Sequence, residues 1–84
     1  MMNYILTQHA KDVLAARGVP ISWMERALNA PEKTEADKDD PQLIHHLARI
    51  AEHGNRVLRA VFNNQVSPVL VVTVYFDRKL RGNL

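Results

Sequence analysis

With no cysteine among its 84 residues, this chain holds its reactive groups in arginines, four histidines and two tyrosines. Thiolate nucleophiles, disulfides and cysteine-held zinc are thereby excluded. The arginines are unevenly placed. Residues 1–31 carry Lys11, Arg17 and Arg26 against Asp12 and Glu25, a net +1, while residues 32–40 (EKTEADKDD) are at −3. Residues 41–84 carry Arg49, Arg56, Arg59, Arg78, Lys79 and Arg81 against Glu52 and Asp77, a net +4. A guanidinium forks onto two oxygens, so this set suits phosphate or carboxylate recognition. A whole-chain net of +2 also serves plain solubility, and the charge map alone only nominates a face.

The histidines argue against a metal centre. His45 and His46 are adjacent on a strand-like segment, so their rings leave opposite faces and cannot chelate together. His53 falls in a turn, and no His-x₃-His pair exists. The Asp37, Asp39, Asp40 group lacks the glycine and terminal glutamate of a calcium loop. It reads as a solvated loop, or as a screen over the basic face. No cofactor is expected. His9 stands in the first turn of a helix, where the positive dipole end suits an anion, or where its ring can fasten the helix to a strand. Asp77-Arg78 reads as an ion pair capping a strand end.

The elements that must position these groups form one domain, 1–84, because 9.6 kDa cannot build two cores. Apolar residues at 46% and charged ones at 24% place the chain with ordered soluble proteins. No apolar run is long enough to span a bilayer, and the N-terminus has neither the basic region nor the cleavage site of a signal peptide. A cytoplasmic location without membrane contact is expected, and the small core makes a homodimer or a tight partner a reasonable expectation.

Asn3–Leu6 alternates as a short strand. Thr7 offers an N-cap oxygen for a helix over Gln8–Arg17, and Gly18 suits its left-handed C-cap. Ser22 and Glu25 have capping-box spacing for a second helix over Trp23–Asn29, which Pro31 closes. Glu32–Pro41 has no apolar period and reads as an exposed acidic loop. Three strands follow, at about Leu43–Ala51, Arg56–Asn63 and Pro68–Asp77, in an antiparallel meander. The expected fold is α+β, in the order β-α-α-β-β-β, with the helices on one face of the meander.

Strict alternation puts Leu58, Ala60, Phe62, Leu70, Val72, Val74 and Phe76 under the helices, with Val13, Leu14, Trp23 and Leu28 above. It leaves Arg59, Thr73, Tyr75 and Asp77 on a half-exposed polar face. In the first meander strand the register depends on the hairpin loop. A three-residue loop buries Ile44, His46, Ala48 and Ile50 and sends His45 and Arg49 outward; a two-residue loop reverses every side chain. The first is favoured, since it buries two isoleucines rather than an arginine.

Several stretches resemble a family of small uncharacterised bacterial proteins of the domain-of-unknown-function kind. They are Thr7-Gln8-His9-Ala10, Arg17-Gly18-Val19 with Trp23, Asp40-Pro41, Arg56 to Val61, and Val71 to Arg78. The likeness runs from Tyr4 to Gly82, and the family is grouped at fold level with the BrnT and RelE toxins of toxin–antitoxin modules. The resemblance implies two helices on a small antiparallel sheet. By analogy it implies an RNA-binding protein or a metal-independent endoribonuclease silenced by an antitoxin-like protein. Such cleavage needs a base, an acid and cations for the phosphate. Candidates on the polar face are His45 as base, Tyr75 as acid or stacking platform, and Arg59 and Arg49 for phosphate, with His9 as a further anion contact or proton relay. Arg78, Lys79 and Arg81 would hold the nucleic-acid backbone. The alternative on the same fold is a non-catalytic protein-interaction module.

Overall fold

The computed structural model describes residues 2–80 and 83–84. Strand β1 (Tyr4–Leu6) leads into helix α1 (Gln8–Ala16), a tight turn, and helix α2 (Ile21–Asn29). Strands β2 (Lys33–Ala36), β3 (Leu43–Ile50), β4 (Arg56–Asn63) and β5 (Val69–Asp77) follow, with a 3₁₀ turn at Ala51–His53. The class is α+β as expected, but the sheet has five strands in the order β1-β5-β4-β3-β2. It is mixed: β1 runs parallel to β5, and every other pairing is antiparallel. No helix among the described residues is long and apolar enough to cross a membrane.

Thr7 caps α1 as its position suggests, accepting from the Ala10 N–H at 3.0 Å and donating to the Val72 carbonyl at 3.2 Å. One residue thus starts the helix and ties it to β5. Gly18 ends the helix with φ +61°, in the region where a side chain is strained. The capping box at Ser22 does not form. Helix α2 begins at Ile21, with the Pro20 carbonyl accepting from the Trp23 and Met24 N–H groups, and Ser22 lies inside the first turn. Glu25 instead accepts from the Tyr4 hydroxyl at 3.0 Å, joining α2 to β1.

Both helices bury one side on the same face of the sheet. Ala10, Leu14, Met24, Ala27 and Leu28 meet Ala48, Ile50, Leu58, Ala60, Phe62, Val71 and Val74 in a single core. The register of β3 is the one that buries its isoleucines, with Ile44 opposite Phe62 and Ile50 opposite Arg56. Pairing ends there, so the turn is longer than either loop considered. It takes five residues, with Gly54 and Asn55 both at positive φ.

Two further expectations are corrected. Glu32–Pro41 is not simply a loop, because residues 33–36 pair with β3 as the edge strand β2. A charged edge strand is a known guard against edge-to-edge association. The second correction lies in β5. The register slips between Val61 and Phe62, so that Val61 faces Thr73 but Phe62 faces Val71. This β-bulge inserts Val72 as an extra residue and resets the alternation. Val71 and Val74 are therefore fully buried, Phe76 packs at the core's margin, and Val72 and Leu70 are only half-buried. Val13 is likewise half-buried and outside the core cluster.

Candidate functional site

Arg59 stands at the centre of the sheet face away from the helices, opposite Leu47 on β3 and Tyr75 on β5. Its side chain is only 12% exposed. One terminal nitrogen donates to Glu35 Oε1 at 2.8 Å and approaches His45 Nδ1 at 2.9 Å. The other donates to Asp77 Oδ2 at 2.8 Å. Its Nε is buried with no protein partner. Because a guanidinium can only donate, His45 Nδ1 accepts here, and the ring's proton sits on Nε2 and is given to Asp37 Oδ1 at 2.7 Å. Both ring nitrogens of His45 are thus engaged, and none remains to act as a base.

The acidic segment supplies the partners that close this face. Glu32 accepts from the Arg49 backbone N–H and guanidinium, Glu35 takes Arg59, and Asp37 takes His45 while accepting from the Asp39 and Asp40 N–H groups. The screen over the basic face is therefore present as a strand and turn that pair with it. Electrostatics follow the contacts. For Arg59, burial opposes the charged form, but the bonds to Glu35 and Asp77 outweigh it and its pKa lies above the ordinary value. Burial pushes Asp77 up, yet the Arg59 guanidinium and the Lys79 N–H bring it below the usual carboxylate range. The Arg59 bond lowers Glu35, the His45 bond lowers Asp37, and the Arg49 bonds lower Glu32. Glu52, paired with Arg26 at 2.7 Å, is lowered to about 2.

These depressed carboxylates set a pH dependence. A group whose folded pKa lies below its unfolded value of roughly 4 stabilises the fold above that pH and loses this as pH falls through the folded value. Denaturant midpoints are expected to be flat near neutrality and to drop steadily from about pH 4 towards about pH 2. Most of the drop should come from Asp77, Asp37 and Glu35, since the Glu32 and Glu52 pairs are more exposed and screened by water. An unchanged midpoint at pH 2.5 would show that these pairs carry no stability.

The residues singled out in the sequence do not form one group. Arg59, His45, Tyr75 and Lys79 line a common depression, together with the acids Glu35, Asp37, Asp39 and Asp77. His9 is not part of it; its exposed ring reaches Thr73 Oγ1 at 3.3 Å and fastens the first turn of α1 to β5. Arg49 is held by Glu32. Asp77 pairs with Arg59 rather than with Arg78, so the expected capping pair is absent. Arg81 lies outside the described residues.

Arg78 belongs to a second site that was not anticipated from the spacing of candidate groups. It lines a cleft of about 500 Å³ with Arg17 at the C-cap of α1, Trp23 on α2, His53 in the 3₁₀ turn, Arg56 at the start of β4 and Phe76 on β5. The aromatic rings touch in series. His53 lies 4.7 Å from Phe76 and 5.5 Å from Trp23 between centroids, and Arg56 sits 5.5 Å over the Phe76 ring. No carboxylate among the described residues lines the cleft. Among the described residues, Arg26, Arg49 and Arg59 each have a carboxylate partner, whereas Arg17, Arg56 and Arg78 have none. All three unpaired arginines line this one cleft.

A family model described as "Domain of unknown function (DUF4258)" matches residues 6–76. No curated protein and no solved structure matches the chain.

Proposed function

The chain belongs to this domain-of-unknown-function family, and from its surface we propose that it binds single-stranded RNA in the Arg17–Arg56–Arg78 cleft. The observation that carries the reading is the segregation of the arginines: those with carboxylate partners lie elsewhere, and the three without converge here. Gathering like charges without a counter-ion is unfavourable, and an anionic ligand removes that cost. Trp23, His53 and Phe76 add flat surfaces on which an unstacked base can lie, the usual means of holding single strands without sequence preference.

The toxin-like extension rests on the same cleft. An antitoxin-like partner would silence the protein by covering it. Cleavage would need a base there, and the imidazole lining it is that of His53, since His45 has both nitrogens engaged. Induced expression should then slow growth with the native chain and not with Arg56→Ala. Normal growth with both would remove the toxin extension and leave RNA binding to be judged separately.

Binding itself is tested by salt. With three arginines neutralising phosphate charge, the affinity of a fluorescent single-stranded oligonucleotide should fall with a log–log slope of about −2, roughly 20-fold between about 50 and about 200 mM salt. Arg56→Ala should flatten the slope by roughly 0.7. Salt-independent binding, or none at low ionic strength, would overturn the reading.

A further inference from the structure

The form of the cleft restricts what part of an RNA it can take. An internal phosphodiester carries a single charge, and successive ones lie a nucleotide apart, so a backbone-tracking site spreads its cations along a groove. Here the unpaired arginines come from three separate places in the chain, the end of α1, the start of β4 and the turn after β5, and line one half-open cleft. Among the described residues the other arginines are each held by a carboxylate, and no run of free guanidiniums leads out of it. A volume of about 500 Å³ falls within the range of small-ligand sites. A ligand that matches this is compact, carries more than one negative charge at a single point and has a flat ring.

Building on the RNA-binding reading, we infer that the cleft recognises a nucleoside phosphomonoester, either the phosphorylated end of an RNA strand or a free mononucleotide. Its terminal phosphate is a dianion near neutral pH, with three oxygens open to guanidinium forks, where an internal diester offers one charge and two. Two guanidiniums can each donate a pair of hydrogen bonds to such a group while the third neutralises the remaining field. The base lies against Trp23 and His53, whose rings face the same cleft. Arg56, stacked over Phe76, is held in place before the ligand arrives, which reduces the ordering cost of binding.

Trp23 is the sole tryptophan of the chain, so its fluorescence reports on the cleft directly. The native protein is titrated with an adenylate decamer bearing a 5′-phosphate, one bearing a 3′-phosphate, one with hydroxyls at both ends, and with adenosine 5′-monophosphate and adenosine. At least one phosphorylated decamer, or the monophosphate over adenosine, should bind at least about tenfold tighter than its hydroxyl counterpart. Comparing decamer with monophosphate then distinguishes an RNA end from a free nucleotide. Arg17→Ala, Arg56→Ala and Arg78→Ala should each erase most of the preference, while Arg49→Ala, on the closed sheet face, should keep it. Circular dichroism verifies that each variant is folded. Equal, salt-sensitive binding of phosphorylated and hydroxyl ends would overturn this inference and leave the RNA-binding reading standing. Absence of binding by every decamer would overturn the RNA-binding reading, and absence of binding by the monophosphate as well would overturn both.

Discussion

Phe62→Ala is expected to lower the unfolding free energy by about 3–5 kcal/mol, the cost of an unfilled aromatic site in a packed core. Phe62 is 1% exposed, lies under the helices, and packs in a T-shaped contact with the His46 ring at a centroid distance of 4.6 Å. That histidine bonds the Leu28 carbonyl at 2.9 Å through its Nδ1, so one side chain links β4, β3 and the end of α2. The neighbours cannot collapse into the vacancy without breaking that bond. For a domain this small, whose total stability is of the order of 5–10 kcal/mol, the change should remove a third or more of it. Urea denaturation should show a lower midpoint with an unchanged slope. A companion pair tests the bulge: Val71→Asp should unfold the chain, and Val72→Asp should be tolerated far better. A loss below about 1 kcal/mol at Phe62, or equal damage at the two valines, would mean the core is not the one described.

That valine pair also marks where sequence reasoning stops. Alternation is a reliable guide along a regular strand, and it places Leu58, Ala60, Phe62, Val74 and Phe76 on the helix side. It carries no signal for an inserted residue when that residue and the one before it are both valine. In Leu70-Val71-Val72 either parity reads as apolar, and only pairing with β4 decides it. Strand β2 was illegible for a different reason. Its residues Lys-Thr-Glu-Ala have no apolar face, and what holds them in a strand is the backbone ladder with β3 and the bonds of Glu35 to Arg59 and of Glu32 to Arg49. Those partners lie far away in the chain.

The same long-range pairing decided which candidate residues stay free. Types and faces were legible: Arg59 and Tyr75 do share the outer face. Their availability was not, because a carboxylate such as Asp77 reads as a neighbour of Arg78 until the strand register hands it to Arg59. The Arg17–Arg56–Arg78 cleft was missed because its members are scattered over three stretches of the chain, 17–23, 53–56 and 76–78, each with a plain local role as helix cap, turn or strand end. One signal was nonetheless present. Arg17, Gly18, Val19, Trp23, Arg56, Phe76 and Arg78 all fall within the stretches on which the family resemblance rests, and His53 is the one lining residue outside them.

Arg59→Ala is expected to cost roughly 2–4 kcal/mol of stability and to leave RNA affinity within about twofold of native. Removing one partner of a largely buried ionic network costs about 3–5 kcal/mol, because the charges left behind stay desolvated. The cost here is smaller, since Glu35 is about a third exposed and water can reach it once the arginine is gone. Asp77, at 16% exposure, is the carboxylate left in difficulty. The double variant Arg59→Ala, Asp77→Asn should therefore be more stable than Arg59→Ala alone, although it lacks one more native contact. Its acid sensitivity between about pH 4 and about pH 2 should also be much reduced, because the pair that loses its charge there no longer exists. If Arg59 instead held RNA phosphates, its loss would weaken binding with little change in the denaturation midpoint, and Asp77→Asn would rescue nothing. The two readings of this residue thus differ in which curve moves. The bonds to Glu35, Asp77 and His45 hold Arg59 in the fold, whereas the arginines of the Arg17–Arg56–Arg78 cleft have no carboxylate partner.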